Sequence, residues 1–237
     1  MQSTFILIPG AWHGGWAWRP VARRLRAAGH QAVTLTMPGL ADGDDPTGLG
    51  LQDAVDRVVT EIERRELTDI ILVAHSWGGY PVTGAAHRLV GRLSKIIYYS
   101  AFIPAPGKSA LDEFPPERAE VVRKLIESSP DRTWAPSLEI VQRTLMQGEP
   151  EQAQRLLLEL LVPLPGNYVL DSLDVQAVAA LGVPVAYVLS EDDRSLAGPG
   201  ADAGFDAQLG MEPIMVPGSH GSLLTHPDEV AQALMKA

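Results

Sequence analysis

Three short stretches of this chain carry side chains that together can perform nucleophilic chemistry. They are a serine within Ala74-His75-Ser76-Trp77-Gly78-Gly79, a run of carboxylates at Glu191-Asp192-Asp193, and a histidine within Gly218-Ser219-His220. A serine hydroxyl is a poor nucleophile near neutral pH, so its proton must be taken as it attacks. Histidine, with an ordinary pKa of about 6.5, suits that task. A carboxylate then fixes the imidazole tautomer and stabilises the imidazolium that forms. The apolar run Ile70-Ile71-Leu72-Val73 stands directly before the serine segment, and small residues follow the serine. A buried strand that turns at once into a helix lifts such a hydroxyl out of the sheet. The helix N-terminus also presents free N–H groups where negative charge develops. The usual pattern is G-x-S-x-G, and Ala74 takes the place of the first glycine, adding only one methyl.

Six histidines compete for the role of base. His30 precedes a strand at the opposite end of the sheet, His87 lies along a helix, and His226 falls in the cap of the last helix. His13 sits in a loop before the first helix. The ring of His75 should point away from its neighbour on so tight a turn. His220 remains as the expected base. Spacing alone does not choose between Asp192 and Asp193 as its acid. Acyl transfer also needs two N–H donors for an oxyanion. Trp77, after the serine, offers one. Ala11, in Pro9-Gly10-Ala11-Trp12-His13-Gly14-Gly15-Trp16, offers the other, because Gly10, Gly14 and Gly15 let that loop fold close. These glycines do not fit G-x-G-x-x-G, so no dinucleotide site is expected.

Positioning these groups requires a parallel sheet, and the chain alternates apolar runs with helical patterns as such a sheet demands. Strands are expected over residues 5–8, 32–37, 70–74, 93–100, 184–189 and 212–216. Helices are expected over 16–28, 51–67, 77–90 and about 201–209, with a closing helix after a Thr225–Asp228 capping box. The three reactive stretches all follow strands, at the edge where ligands bind in open α/β sheets. The alternation stops over 104–181, a proline-punctuated segment with helical spacing at 121–127, 138–146 and 152–161. It is expected to form an all-helical lid, leaving 1–103 and 182–237 as the core.

The chain has 237 residues, 46% hydrophobic and 20% charged, an ordinary globular composition that allows one large α/β domain. A formal net charge of −10 argues against nucleic-acid and anionic-membrane partners. The absence of cysteine excludes disulfides, thiol chemistry and cysteine-ligated metal. No metal or cofactor is expected. Met1-Gln2-Ser3-Thr4 runs directly into a strand, so a cytoplasmic location without signal peptide or membrane span is the expectation. A small-molecule substrate is expected, with a homodimer left open.

Four segments together resemble a known family: Ile8 to Trp16, Ala74 to Gly79, Tyr187-Val188-Leu189-Ser190-Glu191-Asp192-Asp193, and Pro217-Gly218-Ser219-His220. They look like the branch of the α/β-hydrolase superfamily that contains plant methylesterases, hydroxynitrile lyases and bacterial carboxylesterases. The resemblance implies a core of six mainly parallel strands flanked by helices, with a helical lid after the fourth. It also implies Asp193 as the acid, since the family's acid lies six residues after the tyrosine matched by Tyr187. The chain departs from the family at Pro9, where histidine is common, and at Ala74. Hydroxynitrile lyases of the branch carry threonine and lysine where this chain has Gly10 and Gly221, so cyanohydrin cleavage is not expected.

The expected activity is hydrolysis of a carboxylic ester or lactone through an acyl-enzyme on Ser76, with His220 and Asp193 completing a triad. Trp12, Trp77, Phe102, Trp134 and Met146 are the candidate lining of an apolar or aromatic acyl site. The rival readings are a lyase, cyclase or cofactor-free dioxygenase using His220 as general base, and a ligand-binding receptor.

Overall fold

The computed structural model describes residues 2–196 and 210–237, and the helix expected over 201–209 lies outside them. Strands β1 (Thr4–Ile8), β2 (Gln31–Thr34), β3 (Ile70–Ser76) and β4 (Leu93–Ala101) join Val185–Ser190 and Ile214–Val216 in one six-stranded sheet. Its spatial order is Ile214–Val216, Val185–Ser190, β4, β3, β1, β2, and every pairing is parallel. Strands covered on both faces must be apolar on both, which is why β1 and β3 read as unbroken apolar runs.

Alternate residues divide between two layers. Phe5, Leu7, Val73, Ile97 and Val188 face helix α1 (Arg19–Ala27) and the closing helix Pro227–Lys236, through Val21, Leu25, Val230 and Leu234. Ile6, Ile8, Leu72, Ile96 and Tyr98 face helices α2 (Leu51–Arg64) and α3 (Gly79–Leu89), through Val55, Val58, Ile62 and Val82. Each fully buried Ile, Leu or Val contributes about 1.5–3 kcal/mol, so a one-residue slip of any strand would forfeit several such terms. That cost holds the reactive loops in register at one edge.

Three expectations are corrected. The second strand stops at Thr34 rather than Met37, because after Leu35 N–H donates to Leu7 O the chain leaves the ladder for Pro38. The segment 104–181 is not all-helical. Helix α4 (Pro116–Ser128) and a helix at Glu151–Leu160 are accompanied by two antiparallel pairings, Lys108–Ser109 with Ser172–Leu173 and Thr133–Trp134 with Leu164–Pro165. Pro130 follows the end of α4 and Pro163 the end of the helix at Glu151–Leu160, and the extended dipeptides beyond them find backbone partners in each other. The capping box at Thr225 does not form. Asp228 instead pairs with Arg24 at 2.6 Å, and Thr225 Oγ1 lies 2.9 Å from His226 Nδ1. Among the described residues no helix is long and apolar enough to cross a membrane.

Candidate active site

Ser76 ends β3 with φ of +55°, a left-handed backbone that strains a non-glycine residue. Its surroundings hold it there. A Cβ on Gly79 would lie 1.8 Å from Phe102 O, and one on Gly78 would lie 2.6 Å from Pro9 O. Only glycine therefore lets α3 start against the end of β4 and the first loop. Ala74, buried between Ile8 and Tyr98 in the ladder, fits without a glycine. The first loop closes over the serine as well, since a Cβ on Gly10 would be 2.7 Å from Ser76 Cβ.

His220 Nδ1 meets Asp193 Oδ2 at 2.7 Å, with the two side chains 2% and 4% exposed. Asp193, not Asp192, thus reaches the imidazole. Asp192 and Glu191 are exposed; their N–H groups donate to Gly218 O (3.0 Å) and Val216 O (2.9 Å), and the Asp192 carbonyl accepts from Gln147 Nε2. Asp193 Oδ1 accepts from Ser195 N–H at 2.8 Å and from Leu196 N–H at 3.4 Å. Burial alone would raise its carboxyl pKa. The His220 charge and hydrogen bond, with bonds from Ser195 and Ser100, outweigh burial and hold the carboxyl below its usual range. Ser100 owes this position to a register shift at the end of β4, where it takes φ of +42° and its Oγ accepts from Ser190 N–H at 3.1 Å. Nothing in the sequence pattern marks this residue.

His75 and His13 were not expected to matter to the site, yet both rings are buried beside His220. The His75 ring stacks on Tyr99 and lies 4.6 Å, centroid to centroid, from the His220 ring. His75 Nε2 donates to the His220 carbonyl at 3.1 Å, which braces the base from beneath. Among the described residues the ring makes no hydrogen bond to Ser76, and its Nε2 partner is the backbone of His220. His13 Nδ1 donates to Ala11 O at 2.7 Å. Burial depresses both: the His13 pKa falls to about 4 and that of His75 lies well below the ordinary value, with the His220 charge adding to each. Two neutral imidazoles therefore flank the one that has a carboxylate partner.

Among the described residues, Ser76 Oγ and His220 Nε2 have no hydrogen-bond partner, and the Ala11 and Trp77 amides donate to no protein acceptor. Catalytic hydrogen bonds are often long in ligand-free sites, so these four groups remain open to a bound molecule. Ser76, Ala11 and Trp77 line a cleft of about 350 Å³, including its open mouth, that also takes in Trp12, Phe102 and Trp134 together with Phe114 and Arg118. Met146 is corrected: it is not part of this lining. It packs behind Gly221, and its carbonyl accepts from Gln154 Nε2 at 2.9 Å. Neither Phe114, extended just before α4, nor Arg118, in its first turn, belongs to a motif that a sequence displays.

The segment 104–181 is bonded to both sides of the site. Trp12 Nε1 donates to Trp134 O at 2.8 Å, and Val162 N–H donates to Trp12 O at 3.1 Å. On the other side, Ser219 Oγ and Gly221 N–H both donate to Leu145 O at 2.8 Å. The segment therefore anchors the first loop and the histidine loop, although Ser76, Asp193 and His220 all lie outside it.

A parallel sheet bearing a strained serine and a buried histidine–carboxylate pair at one strand edge defines a class, and the family model agrees with it. The model described as alpha/beta hydrolase family matches residues 5–233, and the chain belongs to that family. Among curated relatives, it is 39% identical over 116 residues to a carbendazim hydrolyzing esterase of Nocardioides sp. (strain SG-4G), covering 48% of each chain. It is 31% identical over 140 residues to methylesterase 18 of Arabidopsis thaliana, covering 56% of this chain and 51% of that one. The chain thus spans about half the length of the curated relatives it matches. A solved extracellular alpha/beta-hydrolase from a Paenibacillus species superposes with a TM-score of 0.91 at 24% identity, over 99% of this chain and 98% of that one.

Proposed function

We propose that this protein is a serine hydrolase that cleaves a carboxylic ester, or a lactone, of a small molecule with an apolar or aromatic part. The observation that carries this reading is the buried Asp193–His220 pair, at 2.7 Å, in a sheet whose β3 ends in a strained serine that lines the cleft. In the reaction His220 Nε2 takes the Ser76 proton as Oγ bonds to the ester carbonyl carbon. The resulting oxyanion is held by the Ala11 and Trp77 N–H groups. The C–O bond to the alcohol then breaks, and His220 returns the proton to the departing alkoxide. Water activated by the same imidazole hydrolyses the acyl-Ser76 ester, releasing the acid and restoring the serine. The esterase names of the curated relatives support ester chemistry. Positions 10 and 221 support hydrolysis over cyanohydrin cleavage. A Cβ at Gly221 would lie 2.8 Å from Leu145 O, and one at Gly10 would meet Ser76, so neither position has room for a lyase side chain.

A fluorophosphonate probe tests the covalent step. As Oγ bonds to phosphorus and fluoride leaves, the chain should gain one probe mass less HF, located on the Ser76 peptide by tandem mass spectrometry, and turnover of p-nitrophenyl acetate should be abolished. Ester turnover that persists in probe-treated protein without a Ser76 adduct would favour His220 acting as a general base on water.

The segment 104–181 acts, in this reading, as the lid that shapes the acyl site. Trp134 meets Trp12 edge to face at 4.5 Å and Phe114 at 6.2 Å, so it forms part of an aromatic wall. Trp134→Ala should change the ratio of kcat/KM between bulky and small esters by about 10-fold, the worth of a lost apolar contact. A fixed ratio accompanied only by a lower Tm would mean that Trp134 serves packing alone.

A further inference from the structure

Among the described residues lining the cleft over Ser76, a single charged side chain occurs, and it is a cation. Arg118 sits in the first turn of α4, with its guanidinium carbon 4.2 Å from the Phe114 ring centroid. Its one hydrogen bond among the described residues is long, from Nη1 to Ser195 O at 3.5 Å, and no carboxylate pairs with it. Several other arginines do meet a carboxylate, among them Arg24, Arg57, Arg88 and Arg143. Burial lowers the Arg118 pKa, yet a guanidinium stays charged at any pH the protein meets. A half-desolvated cation without a counter-ion is costly, and a bound anion would offset that cost.

A second donor points the same way. Trp134 Nε1 is buried without an acceptor, on a residue that lines the same cleft. With the Ala11 and Trp77 amides kept for the oxyanion, the Arg118 guanidinium and Trp134 Nε1 remain as donors on residues that line the cleft. None of the described lining residues is an aspartate or glutamate.

Building on the ester-hydrolase reading of Ser76, we propose that the substrate is a monoester carrying a second, ionised carboxylate, which Arg118 binds while the ester carbonyl lies on Ser76. A planar guanidinium takes a carboxylate through two parallel N–H bonds, and the Phe114 face beneath keeps that fork oriented. The net charge of −10 does not prevent this. Distant surface charges are screened beyond about 8 Å at physiological salt, whereas Arg118 acts at contact inside a cleft. Arg118 is thus a specificity-determining residue that takes no part in bond making.

The test compares matched pairs: monomethyl terephthalate against methyl benzoate, and monomethyl adipate against methyl hexanoate. The readout is the kcat/KM ratio, anionic over neutral, in the wild type, Arg118→Gln and Arg118→Lys. The wild type should favour the anionic member by about 10- to 100-fold, the worth of a hydrogen bond to a charged group. Arg118→Gln should bring the ratio near one, chiefly through KM. Arg118→Lys should retain part of it, and raising NaCl from about 0.05 to about 0.5 M should weaken it. An unaltered ratio, with both members falling together and Tm lowered, would make Arg118 a packing residue and overturn the proposal.

A second arm does not depend on hydrolysis. Monomethyl terephthalate should bind catalytically silent Ser76→Ala protein, by calorimetry, at least 10-fold more tightly than the Ser76→Ala, Arg118→Gln double variant. Binding of that kind in a protein that turns over none of the esters would sink the hydrolase reading and leave the anion site standing. Equal Kd values for the two proteins would overturn the anion site.

Discussion

Ser76→Ala should lower kcat for a simple methyl or p-nitrophenyl ester by about 10⁴- to 10⁶-fold while leaving the protein folded. In serine hydrolases the nucleophile, base and acid act as one unit, so loss of the nucleophile removes nearly all that the unit contributes. At about 1.4 kcal/mol for each factor of ten, this is roughly 5–8 kcal/mol of transition-state stabilisation. The change removes one oxygen and keeps the Cβ that Gly10 packs against, and Ser76 Oγ makes no hydrogen bond among the described residues. Circular dichroism and Tm should therefore match the parent. A folded Ser76→Ala protein with near-normal turnover would remove the acyl-enzyme from the mechanism.

Asp193→Asn should cost on the order of 10⁴ in kcat, following the precedent of the serine-protease carboxylate. The carboxylate receives the Nδ1–H of His220 at 2.7 Å and two backbone amides on its other oxygen. An amide in its place can turn its NH₂ toward Nδ1 and select the wrong tautomer, leaving Nε2 protonated and unable to take the serine proton. Asp192→Asn, a change on an exposed side chain, should alter kcat by less than about threefold, as surface substitutions away from a site generally do. Steady-state kinetics on both variants decides the matter. The reverse ranking would mean that the acid is Asp192 and that the loop rearranges on binding substrate. The depressed Asp193 pKa adds a stability effect. A carboxyl whose folded pKa lies below its unfolded value contributes stability above the unfolded pKa, about 3.9, and loses it as pH falls through the folded one. The Asp193→Asn variant should therefore lose less stability than the parent on acidification below about pH 4, measured as Tm against pH.

Legibility followed the range of the interaction. The elbow could be read because its causes lie within a few residues: a β run, a strained serine, and glycines where a Cβ would strike Phe102 O and Pro9 O. The sheet could be read because two-sided burial requires unbroken apolar strands. The failures were also local rules, overruled by a distant partner. Asp228 left the expected cap for Arg24, 204 positions away in the chain. Residues 133–134 and 164–165 were helical by context, but proline stops left their backbone groups to pair with each other. Met146 was hydrophobic and in the right segment, yet it faces the back of the histidine loop.

The sequence by itself therefore determined the class of fold, the serine on its elbow, and the chain order of serine, acid and histidine, since these are written in periodicity and adjacent residue types. Whether Asp192 or Asp193 meets the imidazole was open on spacing alone. Family resemblance pointed to Asp193, and the tertiary structure settles the geometry because neighbouring side chains on a loop point in different directions. Only folding also brought the His75 ring against a carbonyl 145 positions away and the Ser100 bulge against Asp193. It alone set Arg118, without a carboxylate partner among the described residues, in the lining of the cleft. A single sequence encodes such contacts only through the packing of the whole chain, where the burial of many apolar side chains fixes which distant polar groups must satisfy one another.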